Sequence, residues 1–120
     1  MVASSNLVAL ETTIFGDINT EGNIRIEGKV EGVLKSRNKI VVGDSAYVKG
    51  DVFAVEAEIS GHIDGEIHCK GTLYLKKTSY IHGDIFAAKL IIENGAVFNG
   101  KCSMSGQDEQ KNSGSQYREG

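Results

Sequence analysis

The stretch AEISGHIDGEI, residues 57–67, carries isoleucine at 59, 63 and 67, with Gly61 and Gly65 midway between them. The stretch IRIEGKVEGVL, residues 24–34, has the same layout 33 residues earlier. Four more stretches fall into one eleven-residue register with these two: VALETTIFGDI (8–18), VGDSAYVKGDV (42–52), LKKTSYIHGDI (75–85) and IENGAVFNGKC (92–102). The ninth position is glycine in all six: Gly16, Gly32, Gly50, Gly65, Gly83 and Gly100. The spacings of 16, 18, 15, 18 and 17 residues average 16.8.

The flanks repeat as well. Two residues before each glycine lie Ile14, Val30, Val48, Ile63, Ile81 and Phe98. Two residues after lie Ile18, Leu34, Val52, Ile67, Ile85 and Cys102, and four after lie Thr20, Ser36, Ala54, Cys69, Ala87 and Met104. Alternation with period two is the signature of strand. A strand unit this short cannot form a core alone and must bury its face against copies of itself. The reading is an all-β, single-domain parallel β-helix of about six coils, stacked at the inter-strand distance of about 4.8 Å. Glycine on the inward parity marks a corner or a close backbone approach that recurs once per coil. The doubled glycines, Gly28 with Gly32 and Gly61 with Gly65, mark coils with a second such point. The β-helix is expected over residues 8–104, with residues 1–7 and the polar, Gly/Ser-rich 105–120 as disordered tails.

Composition agrees. The 120 residues include no proline and 15 glycines, which suits a chain hydrogen-bonded as strand nearly throughout. A net charge of -3 provides no basic stripe for phosphates and argues against nucleic acid. The N-terminus has neither the basic region of a secretory signal nor the length of a membrane span. Cys69 and Cys102, two coils apart, are expected to stay reduced and unpaired.

The residues TIFGDINTEGNIRIEGKVEGVL (13–34), VVGDSAYVKGDV (41–52) and LIIENGAVFNGKC (90–102), in this order and spacing, resemble the bactofilins, bacterial polymer-forming cytoskeletal proteins. The resemblance covers about residues 10–104. It implies a right-handed β-helix, nucleotide-independent filaments, peripheral association with the inner face of the cell membrane, and a scaffold for cell shape or cell-wall-modifying proteins.

Searching for chemistry yields little. No G-x-x-x-x-G-K-[ST], G-x-G-x-x-G or H-E-x-x-H occurs, so no nucleotide, cofactor or catalytic residue is expected. His62, His68 and His82 occupy three different register positions and are read as solvated surface residues, not zinc ligands. Asp51, Glu66 and Asp84 stack in one column, where a divalent cation is conceivable but a solvated face is the expectation. Glu31, Lys49 and Asp64 form a column of alternating charge, a mild outward ion-pair ladder. Phe53 and Phe86 share another column. Alternation puts them outside as an aromatic strip for a partner; the favoured reading turns both into the core at a corner.

Polymerisation follows from the ends. A coil stack has two open ends, each with unpaired backbone groups and an apolar layer, and no capping helix is visible here. Self-association is therefore expected through Leu10 and Ile14 at one end and Val97, Phe98, Cys102 and Met104 at the other. Phe98 stands where earlier coils carry Ile or Val, and another subunit is expected to be all that covers its ring. Met1, Val2 and Leu7 are candidate membrane contacts. The alternatives are a β-helix enzyme of the hexapeptide acyltransferase or carbonic anhydrase type, against which the 16.8-residue period speaks, and a monomeric binding module using the Phe53/Phe86 strip.

Overall fold

The computed structural model describes residues 5–104, which form sixteen short strands and no helix. The first coil consists of β1 Ser5–Val8, β2 Thr13–Phe15 and β3 Ile18–Thr20. The second is β4 Asn23–Ile26, β5 Lys29–Glu31 and β6 Leu34–Ser36. The third is β7 Lys39–Val42, β8 Tyr47–Lys49 and β9 Val52–Ala54. The fourth opens with β10 Glu56–Ile59 and β11 His62–Asp64. It closes with the first half of β12 Ile67–Leu75, which turns a corner into the fifth coil. There β13 Tyr80–His82 follows, and β14 Ile85–Ile92 carries the fifth coil into the sixth. Strands β15 Val97–Asn99 and β16 Cys102–Met104 complete the sixth.

Successive coils place like strands on one another, so the rod has three faces. The second face runs β2-β5-β8-β11-β13-β15 in unbroken parallel pairing. The first and third are joined through the long strands β12 and β14. The register is the one expected from the repeat. Ile14, Val30, Val48, Ile63, Ile81 and Phe98 pair in sequence up the second face. Ile18, Leu34, Val52, Ile67, Ile85 and Cys102 do so up the third. Their interior members have no exposed surface, and this apolar column is the core.

The repeated glycine sits at the corner between the second and third faces. Gly65 has φ +151°, and a Cβ there would stand 2.1 Å from the carbonyl oxygen of Gly50 in the coil below. Both conditions exclude a side chain. The second glycine point is a pure approach: a Cβ on Gly61 would lie 2.3 Å from the Gly43 oxygen. The residue after the corner glycine has a structural task. Asp17, Asp51 and Asp84 accept, through Oδ1, hydrogen bonds from the backbone N–H of Val33, Glu66 and Lys101 in the next coil, at 3.0, 3.1 and 3.2 Å. Each carboxylate gives a backbone donor at the corner a charge-assisted partner.

Three expectations change. The rod begins at Ser5, not Val8, because Ser5–Val8 pairs with Asn23–Ile26; residues 1–4 and 105–120 lie outside the described residues. Glu31, Lys49 and Asp64 are register neighbours, but the ion pairs that close among the described residues lie elsewhere, as in Lys39 and Lys76 with Glu58. Asp51 and Asp84 serve backbone donors, and no group of three or more ligating side chains suited to a metal occurs among the described residues. Cys69 and Cys102 lie in the fourth and sixth coils, and no disulfide joins them. Desolvation pushes both thiols up, and the Cys69 Sγ donates to the carbonyls of Val55 and Thr72.

Candidate polymerisation ends and side groove

In the middle of the rod an inward side chain is covered by a coil on each side. In the first and last coils it has a coil on one side only among the described residues. The apolar residues packed against the core yet only partly buried are Ile14, Ile18, Leu90, Ile92, Ala96 and Cys102. The first two belong to the first coil and the other four to the sixth. Each outermost strand likewise has a partner strand on one side only among the described residues. Of the eight large exposed apolar side chains among the described residues, five stand in these coils, Leu7, Leu10 and Phe15 in the first and Ile91 and Val97 in the sixth; Val55, Tyr80 and Phe86 stand between them. Phe15 is 74% exposed. No helix among the described residues covers either end.

The expected contact residues fall as follows. Leu10 and Val97 are exposed, Ile14 and Cys102 half-buried, and Met104 closes β16. Phe98 departs from expectation: its ring is 6% exposed in a single chain, so no second subunit is required to cover it. It pairs with Ile81 below and packs into the core cluster, where a larger side chain fills the last layer. Sequence reading passed over Ile18, Leu90, Ile92 and Phe15. Ile18 opens the third-face ladder, with no coil before it among the described residues, and that position could have singled it out. Of the candidate membrane contacts, Met1 and Val2 lie outside the described residues, while Leu7 is exposed on β1.

Phe53 and Phe86 point outward, against the favoured core reading. Parity holds through 52–54, 67–69 and 85–87, ahead of the corner, so alternation persists and Ala54, Cys69 and Ala87 take the inward sites. His68 is sandwiched between the two phenylalanines, at ring-centroid distances of 4.6 and 4.7 Å and interplanar angles of 7° and 9°. His62 likewise lies between Tyr47 and Tyr80 on the second face. Two of the three histidines are therefore half-buried in aromatic columns, not solvated; His82 is exposed.

The model of the bactofilin family, described as polymer-forming cytoskeletal, matches residues 6–103. The chain belongs to the bactofilin family. Among solved structures, the cytoskeletal bactofilin BacA, determined by solid-state NMR, is similar at 32% identity and a TM-score of 0.78. The similarity covers 88% of this chain and 100% of that one. No curated protein matches the chain. As a bactofilin it is a cytoskeletal, polymer-forming β-helix, and its two uncovered coils are the natural place to look for self-association. No helix among the described residues is long and apolar enough to cross a membrane.

Proposed function

We propose that this bactofilin is a non-enzymatic scaffold whose rods stack end to end into filaments without nucleotide. The observation that carries the reading is the confinement of half-covered core residues to the two end coils. Stacking would bury Ile14, Ile18, Leu90 and Ile92 and give each outermost strand a second neighbour, as the interior strands already have. Leu10 and Ile14 on one side, and Val97, Phe98, Cys102 and Met104 on the other, form the contact layers, with Phe98 as their packed base. The filament lies at the inner face of the cell membrane, held by weak contacts of Met1, Val2 and Leu7 multiplied by avidity, and positions cell-wall-modifying proteins that set cell shape.

Two substitutions test the ends without disturbing the core, because both side chains are exposed in the single chain. Leu10→Arg and Val97→Arg each place a charge in a proposed contact layer. Light scattering should show each variant arrested as small oligomers, and the double variant as monomer. Undiminished polymers from the double variant would refute this assignment of the ends. Phe98→Arg is the less clean variant, since it buries a charge within the chain itself.

A further inference from the structure

A groove of about 950 Å³ runs along the third face, lined by residues of the first five coils. Its cations are Lys35, Arg37 and Lys70, against one lining carboxylate, Glu21. This surplus stands on a chain whose net charge is -3. Between the cations lie the edges of the Phe53–His68–Phe86 column and the partly exposed Val55. Both faces of Phe53 and His68 and the inner face of Phe86 are taken. His68 stacks on both phenylalanines, and the Lys35 Nζ stands 5.5 Å from the Phe53 centroid. A nucleobase or sugar therefore finds little open face on which to stack. What remains open is ring edge, which carries the positive part of the aromatic quadrupole and attracts anions.

We propose that this groove binds an extended acidic peptide segment of a partner protein. Carboxylates would meet Lys35, Arg37 and Lys70, and alternate apolar side chains would rest on Val55 and the phenylalanine edges. Five coils span about 19 Å at 4.8 Å per step, the length of about six extended residues. A concave channel of that length suits a peptide better than a bilayer surface. The groove lies on a side of the rod, so it stays open whether or not the ends are joined.

The test uses the full chain and a dye-labelled hexapeptide alternating glutamate with leucine, read by fluorescence anisotropy. Controls replace glutamate by glutamine or lysine. Saturable binding is expected for the glutamate peptide only, weakening with salt. The triple variant Lys35→Glu/Arg37→Glu/Lys70→Glu should weaken it at least tenfold while the circular dichroism and the polymer state are unchanged. The single variant Lys70→Glu should weaken it several-fold, and it stands in if the triple variant loses its β signal. Phe86→Ala should also weaken it. Equal binding of the glutamine peptide, or undiminished binding to the charge variants, would overturn the proposal. So would capture of phosphatidylglycerol vesicles through the same three cations with no peptide bound, which would make the groove a membrane face.

Discussion

The fourth coil and the first coil are built from the same register, yet they differ in one respect. Ile63 and Ile67 in the fourth have no exposed surface, whereas Ile14 and Ile18, in the same two columns, are half-buried. The corner glycines differ likewise. Gly65 has the carbonyl of Gly50 pressed where a Cβ would stand, while nothing lies within 4 Å of the corresponding point on Gly16. Side-chain type does not distinguish the coils; what distinguishes them is whether another coil lies beyond. Under the proposed stacking, such a repeat is an unfinished stack and a further copy of itself would be the matching cover.

The strongest way to break this comparison is at the glycines. Gly65→Val puts a branched side chain against backbone at φ +151° and should destabilise by more than about 4 kcal/mol, enough to abolish soluble protein. Gly16→Ala meets no neighbour in the single chain and carries only the strain of φ +128°, about 1–3 kcal/mol. It should fold, as urea melts monitored by circular dichroism would show, but polymerise poorly if a second rod abuts that corner. Equal losses in the two variants would mean that the first coil is as enclosed as the fourth. The isoleucines sharpen the same contrast. Ile63→Ala should lose about 2–5 kcal/mol and Ile18→Ala about 1–2 kcal/mol when monomers are compared. In polymer the gap should narrow, because stacking completes the cover over Ile18.

Much of this was legible in the sequence because a β-helix writes its geometry into one repeat. The glycine column fixed the register, and with it the pairing of all six coils. The columns Ile14 to Phe98 and Ile18 to Cys102 could be read directly because like residues stack on like. What escaped depends on where the chain turns. Phe53 and Phe86 were expected inside because a corner resets parity, and only the coordinates show that the corner comes after Ala54 and Ala87, not before the phenylalanines. The burial of Phe98 was hidden for a different reason: exposure in the last layer depends on how far a ring reaches across the core. The role of Asp17, Asp51 and Asp84 was also hidden, since a carboxylate beside a glycine reads as a solvated charge until the donor from the next coil is seen.

A smaller effect concerns how firmly the last coil is held. The Glu93 carboxylate accepts the Lys77 backbone N–H at 2.9 Å and the Tyr74 hydroxyl at 3.1 Å, tying the sixth coil to the fifth. The Lys77 N–H and then the Tyr74 hydroxyl hold Glu93 below its ordinary carboxylate range, and the same contact pushes Tyr74 up. The folded state therefore binds fewer protons at Glu93 than the unfolded state, so stability rises with pH through the carboxylate range. The contribution is in full above the ordinary carboxylate pKa and is lost as pH falls through the depressed folded value. Tyr74 works in the opposite sense, its share present below the ordinary phenol pKa and lost as pH rises through the raised one. Hydrogen-exchange protection factors of β15 and β16 should fall slightly more in acid than those of β8, and Glu93→Gln should flatten the difference. An identical acid response in both strands would show that this contact does not hold the end coil.

The central claim is that the two uncovered coils make the chain a polymer by themselves. Negative-stain electron microscopy of the purified full chain, with nucleotide and divalent metal removed, tests it most directly. The account predicts filaments about one rod wide, replaced by isolated short rods in the Leu10→Arg/Val97→Arg double variant. Single rods from the unmodified chain at high concentration, or filaments that persist in the double variant, would contradict it.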